Sequence, residues 1–205
     1  MLRRGGGVTG RLVAAFSRLV LRLAGWQVVG GAPQAQRYVL IAAPHTTNWD
    51  FPLMMLFAAA LGIRPAWLGK HTLFKPPFGW LVRLVGGIPV DRRLPGQLVE
   101  QLSARFEEQP RLVLVMPPEG SRGRRAHWKS GFYHVARSAG VPIAMGWLDY
   151  SRKQGGIGPL LTPSGDLGAD MDKLRAFYAD KQGLHPERQG PVRLAGEDDA
   201  APPRE

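Results

Sequence analysis

Short apolar segments that suit buried strands alternate along this chain with longer segments that suit helices. The strand-like segments lie at residues 38–43, 65–69, 112–116 and 141–148, with a shorter one after Gly86 and Gly87. The helix-like segments lie at residues 51–61, 95–108, 129–139 and 169–181. Such alternation favours parallel pairing, because each helix carries the chain back to the same edge of the sheet. We predict a single α/β domain with a central mixed, largely parallel sheet flanked by helices.

The two ends of the chain differ from this alternating middle. Residues 9–24 predict an amphipathic helix on which Arg11, Arg18 and Arg22 form one stripe and apolar residues cover the rest. Such a helix either lies in a membrane interface or docks on the core with its arginines outward. From residue 184 onward proline, glycine and acids predominate, which is typical of a disordered tail. The predicted division is an N-terminal membrane-interface helix (1–30), a folded domain (31–183) and a disordered tail (184–205).

Two further segments leave their structure open. Residues 70–85 interleave aromatic rings with lysine and arginine, which suits either a bilayer interface or a core helix with solvated lysines. Residues 149–168 predict a loop or a hairpin.

The excess of basic residues limits the class of partner. The formal net charge is +11 and the isoelectric point is about 10.8, which favours nucleic acid, anionic lipid or a phosphorylated substrate. Cysteine is absent, so disulfides, thiolate zinc sites and a cysteine nucleophile are excluded. No apolar run reaches the ~18 residues of a membrane span. Arginines also interrupt the N-terminal segment, so no signal peptide is predicted.

The stretch Pro-His-Thr-Thr-Asn-Trp-Asp at residues 44–50 joins a predicted strand to a predicted helix. Up to Val90 the chain carries ten basic residues and a single acid, Asp50. This carboxylate is a candidate orienter for His45, whose neutral imidazole is a good general base. Asp50 could equally be an acid favoured by the helix dipole in the first turn. Residues five apart do not face each other on a helix, so catalysis requires His45 to precede the helix and fold back onto Asp50.

A second polar loop follows the predicted strand at residues 112–116. Glu119 is the only acid between Gln109 and Leu148, in a stretch rich in arginine and lysine. Gly120 permits close backbone approach, and Arg122 offers a planar fork for phosphate. A surface turn with one salt bridge explains the same pattern. The Asp-Arg pair at residues 91–92 has the same two interpretations, a bridge between strands or an arginine facing an anionic substrate.

Several catalytic signatures are absent from the sequence. There is no Gly-x-Ser-x-Gly elbow, phosphate loop or His-Glu-x-x-His, so covalent serine catalysis and nucleotide hydrolysis have no support. The other histidines lack a carboxylate at a motif spacing, and we predict no metal site.

Four segments, in this order and spacing, resemble sequence blocks of the glycerolipid acyltransferase family, which includes the lysophosphatidic acid (1-acylglycerol-3-phosphate) acyltransferases. Residues 45–50 match its His-x4-Asp, and residues 87–92 resemble a block ending in Val-Asp-Arg. Residues 118–122, Pro-Glu-Gly-Ser-Arg, are similar to its Pro-Glu-Gly-Thr-Arg, and residues 141–143 to its Val-Pro-Ile. The resemblance covers about residues 38–148. The chain departs from the family at Pro44, Ser121 and Met145, where many members have Asn, Thr and Pro.

The resemblance implies an O-acyltransferase domain over residues 31–183. Its reaction would move a fatty acyl group from acyl-CoA or acyl-carrier protein to the hydroxyl of a lysophospholipid such as 1-acylglycerol-3-phosphate. His45 would be the general base, oriented by Asp50. The residues implied for acceptor binding are Arg92, Glu119, Gly120, Ser121 and Arg122.

The resemblance and the charge together define the expected partners. The thioester is a co-substrate, and no resident cofactor, metal or nucleic-acid partner is expected. An anionic membrane surface suits the basic chain, and without a span or a signal sequence we expect a peripheral or monotopic protein on the cytoplasmic face of the cell membrane. Two alternatives remain open. One is another lysolipid acceptor, such as a lyso-ornithine lipid, and the other is a non-catalytic basic membrane-binding module.

Overall fold

A buried strand at the centre of the sheet organises the fold. The computed structural model of the protein describes residues 7–90 and 95–197. Its strands are β1 (Gln27–Val29), β2 (Arg37–Ala43), β3 (Pro65–Lys70), β4 (Gly87–Val90), β5 (Leu112–Met116), β6 (Ile143–Asp149) and β7 (Gln154–Leu161). Within the described residues they form a seven-stranded sheet in the order β1-β7-β6-β2-β5-β3-β4. β6 and β7 pair antiparallel and the other neighbours pair in parallel, which confirms the predicted fold class.

Helices cover both faces of the sheet because the central strand is apolar on both sides. They are α1 (Val8–Leu23), α2 (Asp50–Ala60), α3 (Gly79–Leu84), α4 (Pro95–Glu108), α5 (Gly131–Ser138) and α6 (Leu167–Tyr178). Val39 and Ile41 of β2 point to the face covered by α4, α5 and α6. Tyr38 and Leu40 point to the opposite face, which α2 covers.

The short helix α3 lies on the same face of the sheet as α2. Gly87 of β4 pairs with Trp67 of β3, and a side chain at Gly87 would collide with Val82 of α3. Trp67 packs in the cluster that contains Met54 of α2. Because paired residues of neighbouring strands point to the same face, α2 and α3 belong to one layer and α4, α5 and α6 to the other.

α1 docks on this layer through a narrow stripe. Ser17 and Leu21 are its buried residues, and Leu21 packs against Phe57 of α2. Most of its other large apolar side chains are exposed, with Phe16 at 65% and Leu23 at 79%. Among the described residues, no helix combines the length and the apolar character that a membrane crossing needs. α1 thus docks on the protein and still exposes apolar surface, and its contact with a membrane stays a prediction.

The structure decides the two segments that the sequence left open. Residues 70–85 are not a core helix, and residues 149–168 are not a simple loop. Residues 70–85 form a 3-10 turn, His71–Phe74, followed by α3, and the rings of Phe78 and Trp80 are exposed. Pro76 and Pro77 interrupt the helical pattern, since proline cannot continue a helix. Residues 149–168 form the hairpin alternative, because β7 turns back along β6.

The predicted disordered tail is wrong for residues 184–197. Leu194 is 1% exposed in the main core, and Trp128 donates its backbone N–H to the carbonyl of Arg193 at 2.7 Å. The carboxylate of Glu197 accepts the backbone N–H of Leu194 at 2.8 Å. Composition averages over a segment, so it misses one buried leucine and a few specific hydrogen bonds. Residues 198–205 lie outside the described part of the chain.

Candidate active site

The carboxyl ends of three neighbouring parallel strands meet at one edge of the sheet. β2 lies between β5 and β6 and pairs in parallel with both. His45 closely follows β2, Glu119 closely follows β5, and Tyr150 comes directly after β6. Parallel strands end at the same edge, so residues distant in sequence come together there. We take this edge as the candidate active site.

The carboxylate of Asp50 organises the loop between β2 and α2. Asp50 is the first residue of α2 and is 4% exposed. Its Oδ2 atom accepts the backbone N–H groups of Thr46 at 2.9 Å and Thr47 at 3.0 Å. The Nδ1 atom of His45 lies 3.0 Å from the same oxygen. His45 therefore precedes the helix and folds back onto Asp50, which is the geometry that the catalytic interpretation requires.

The ring of His45 is oriented by this contact. A carboxylate accepts hydrogen bonds only, so the contact assigns a proton to Nδ1. In the neutral imidazole Nε2 then carries the lone pair, on the side of the ring away from Asp50. The His45 side chain is 21% exposed and lines a large cavity. The arrangement suits a general base that acts on a molecule bound in that cavity.

Glu119 supports the backbone of His45. Its Oε2 atom accepts the His45 backbone N–H at 2.7 Å, and the residue is 5% exposed. Burial raises the pKa of Glu119 to about 7, although the hydrogen bond from His45 opposes the rise. The negative charge of Asp50 adds to it. Glu119 thus joins the loop after β5 to the loop after β2.

The loop after Glu119 turns sharply at Gly120. This residue has φ +66°, and a Cβ atom there would lie 2.7 Å from Cε of Lys129. Glycine meets both demands, since it adopts positive φ freely and leaves room for the lysine stem. Ser121 accepts a hydrogen bond from Nε of Arg125 at 3.0 Å. Arg122 is exposed and lines the same cavity as Lys129.

The cavity beside His45 has a volume of about 1210 Å³. Its walls are mostly apolar side chains from the sheet and from both helical layers, among them Leu40, Met54, Phe57, Leu102, Val115 and Leu148. Its polar lining comes chiefly from the loops at the carboxyl edge of the sheet and includes His45, Asn48, Ser121, Arg122 and Lys129. A cavity of this kind suits a molecule with a long apolar part and a polar head.

The predicted site residues largely come together. The structure places His45, Asp50, Gly120, Ser121 and Arg122 around one cavity, with Glu119 behind His45. Arg92 lies outside the described residues. In the described part of the chain, no cluster of three or more His, Asp or Glu side chains could hold a metal ion.

Sequence reasoning missed Tyr150 and Lys129, which also lie at this edge. The hydroxyl of Tyr150 donates to Oδ1 of Asp50 at 2.7 Å, across 100 residues of sequence. Its position two residues after a predicted strand, 141–148, is the signal that could have found it. The missing information was the strand order, which sets β6 beside β2. Lys129 carried no signal beyond its place in a basic stretch.

Sequence comparison relates the chain to known proteins. A sequence model of the family described as Acyltransferase matches residues 27–145. A 1-acyl-sn-glycerol-3-phosphate acyltransferase of Streptococcus pneumoniae (strain ATCC BAA-255 / R6) is 30% identical over 146 residues, which cover 65% of this chain and 53% of that protein. Its namesake in Haemophilus influenzae (strain ATCC 51907 / DSM 11121 / KW20 / Rd) is 32% identical over 64% of this chain and 58% of its own length. The chain spans little more than half the length of these relatives.

The fold also resembles that of a solved structure. The 1-acyl-sn-glycerophosphate (LPA) acyltransferase PlsC from Thermotoga maritima superposes with a TM-score of 0.51, over 76% of this chain and 70% of that chain. The two sequences are 18% identical, so this likeness concerns the fold alone.

We predict that Glu119→Gln makes the stability of the protein less dependent on pH. The folded-state pKa of Glu119 is raised, so the folded protein holds this proton more tightly than the unfolded chain does. The resulting stabilisation is complete below about pH 4.5, the pKa of the unfolded chain, and is lost as the pH rises through the folded-state pKa of about 7. Glutamine keeps an acceptor for the His45 N–H and cannot ionise.

Urea unfolding of both proteins at about pH 5 and about pH 8 measures the effect. The free energy of unfolding of the wild type should fall relative to the variant, by roughly 2 kcal/mol between these conditions. An equal pH dependence in both proteins would show that Glu119 ionises as an ordinary exposed glutamate.

Proposed function

The chain belongs to the Acyltransferase family, and on this premise we propose that it transfers a fatty acyl group from a thioester to the hydroxyl of a lysophospholipid. The observation that carries the proposal is the His45–Asp50 pair beside a large, mostly apolar cavity. The similar proteins described above are named as 1-acyl-sn-glycerol-3-phosphate acyltransferases. We therefore propose 1-acylglycerol-3-phosphate as the acceptor, with acyl-CoA or acyl-carrier protein as the donor.

His45 is the proposed general base. Its Nε2 atom takes the proton of the acceptor hydroxyl, while Nδ1–H stays hydrogen-bonded to Asp50. The carboxylate stabilises the imidazolium that forms. The alkoxide attacks the thioester carbonyl, the carbon–sulfur bond breaks, and the imidazolium returns the proton to the departing thiolate. This direct transfer needs no covalent enzyme intermediate, in agreement with the missing nucleophile motifs.

The cavity is the proposed site for the apolar chains of both substrates. Its volume of about 1210 Å³ exceeds the roughly 300–1,000 Å³ that is usual for a site of one small ligand. Both the donor acyl group and the chain of the acceptor are apolar, and mostly apolar side chains line the walls. Room for two such chains supports a reaction between two lipid-like substrates.

Arg122 is the proposed ligand of the acceptor phosphate. Its exposed guanidinium lines the cavity, and this group binds phosphate through two parallel N–H donors. Gly120 and Ser121 would form the adjoining wall next to the glycerol, and Glu119 would shape the site by holding the His45 backbone. Arg92 is proposed for the same phosphate on the family resemblance alone.

The layer formed by α1, α2 and α3 is the proposed membrane-binding face. Its exposed apolar side chains include Leu12, Phe16, Leu19, Trp49, Trp80 and Leu84. Asp50 is the only acid among the described residues up to Val90 and it is buried, so the exposed charges of this layer are basic. Apolar and basic side chains together suit an anionic bilayer. The opposite layer exposes acids, such as Glu100, Glu107 and Asp172, which an anionic bilayer would repel.

A non-catalytic membrane-binding module explains the basic charge and the exposed helices equally well. It gives no role to the buried carboxylate of Asp50, which accepts two backbone N–H groups and orients the ring of His45 beside a cavity. That arrangement favours the enzyme. Mass spectrometry of the products from a panel of lysolipids distinguishes 1-acylglycerol-3-phosphate from another acceptor, such as a lyso-ornithine lipid.

We predict that His45→Ala lowers kcat at least about 100-fold, because it removes the general base. Asp50→Asn should also lower kcat, because the imidazolium loses its charged partner. The assay follows acyl transfer to lysophosphatidate from oleoyl-CoA and from acyl-carrier protein. His127→Ala is the matched control, since His127 is exposed and lies outside the cavity lining. Activity of the His45 variant within about ten-fold of wild type would remove His45 from its role.

Arg122→Ala should raise the KM for lysophosphatidate about ten-fold or more, the usual effect of losing a charged hydrogen bond. Arg124→Ala removes the same charge from the same loop outside the cavity lining, and it should leave this KM unchanged. With monoacylglycerol, which has no phosphate, Arg122→Ala should cause little change. An equal KM in the two arginine variants contradicts the phosphate contact.

Combined substitution of Arg11, Arg18 and Arg22 by glutamine should weaken binding to vesicles that contain phosphatidylglycerol. The control variant carries the same charge change at three exposed arginines off the proposed face, Arg111, Arg137 and Arg188. Flotation of the full chain with the vesicles measures binding. Equal flotation of the two variants would show that α1 adds nothing beyond net charge.

A further inference from the structure

The catalytic carboxylate has a hydrogen-bond donor that lies outside every sequence block described above. Oδ2 of Asp50 accepts hydrogen bonds from Nδ1–H of His45 and from two backbone N–H groups, whereas Oδ1 accepts one from the hydroxyl of Tyr150 at 2.7 Å. A carboxylate rotates easily about its Cβ–Cγ bond, since this torsion has only broad minima. The tyrosine hydroxyl therefore adds a second, independent constraint on that rotation.

Tyr150 is itself held from three sides. Its backbone N–H donates to the carbonyl of Gln182 at 2.8 Å. Its ring meets the ring of Trp26 edge-to-face, with the centroids 4.9 Å apart. The turn that follows β6 is tied to the fully buried carboxylate of Asp149, which accepts the backbone N–H of Ser151 at 3.0 Å. The hydroxyl thus reaches Asp50 from a rigid support.

We propose that Tyr150 is a positioning residue for acyl transfer, whose hydroxyl fixes the Asp50 carboxylate in the orientation that presents Oδ2 to His45. The inference rests on the proposed function and extends it to a residue of the β6–β7 turn. Without the hydroxyl, a buried carboxylate oxygen lacks this donor. The carboxylate then turns toward other donors, and His45 loses its oriented partner.

Tyr150 acts here as a donor and not as a base. Burial and the hydrogen bond to Asp50 raise the pKa of Tyr150 well above its ordinary value, so the hydroxyl keeps its proton. The residue does not need to touch the substrate. Its effect should therefore appear in turnover and not in the binding of either substrate.

Tyr150→Phe tests the proposal, because it removes the hydroxyl and keeps the ring against Trp26. The chain offers a matched control in Tyr133, whose hydroxyl donates at 3.0 Å to the buried carboxylate of Asp170; neither residue lines the cavity. Both variants should lose similar thermal stability. Only Tyr150→Phe should lower kcat, by about 10- to 100-fold, with the KM of both substrates unchanged. A kcat within about two-fold of wild type, or an equal loss in Tyr133→Phe, overturns the proposal.

A second readout does not depend on turnover. Ring ¹H–¹⁵N spectra should show a downfield Nδ1–H resonance of His45, assigned by its loss in His45→Ala. Tyr150→Phe should shift or broaden this resonance, and Tyr133→Phe should leave it unchanged; an unchanged resonance in Tyr150→Phe refutes the positioning role. If the wild type transfers no acyl group, the proposed function fails, and the resonance still decides whether Tyr150 positions Asp50.

Discussion

The buried carboxylate of Asp50 is the interaction on which the candidate active site depends. It begins α2, accepts two backbone N–H groups of the preceding loop, and contacts the imidazole of His45 and the hydroxyl of Tyr150. A buried charge is tolerated only when donors surround it. The hydrogen bonds that this carboxylate accepts therefore hold the loop before α2, fix the tautomer of His45 and connect the turn after β6 to the site.

The sheet brings these groups together, and the two helical layers make the two faces of the molecule chemically different. His45, Glu119 and Tyr150 follow β2, β5 and β6, whose carboxyl ends lie side by side. Trp49 is 68% exposed in the loop that also carries His45, and it directly precedes α2, a helix of the basic, apolar layer. A bilayer on that side would hold the acceptor next to the cavity, so membrane binding and acyl transfer would share one geometry.

Local patterns predicted most of the fold, because burial on one or both faces leaves a periodic trace in the sequence. The strand at residues 112–116 and the helix at residues 95–108 have the predicted bounds. β1 contains three residues, too few to show the alternation of a strand. The fold of residues 184–197 depends on contacts with residues distant in sequence, such as Trp128. The His45–Asp50 pair was accessible because the two residues are only five apart in sequence, at the junction between β2 and α2. Tyr150 was not, because its contact with Asp50 depends on strand order.

A crystal structure with lysophosphatidate bound, in the absence of a thioester donor, tests the central claim most directly. The account predicts that the free hydroxyl of the lipid lies within about 3 Å of Nε2 of His45, while Nδ1 stays on Asp50. The phosphate should contact Arg122 and the acyl chain should occupy the cavity. A lipid bound on a distant face, or a His45 ring turned away from Asp50 when the lipid is bound, would contradict the account.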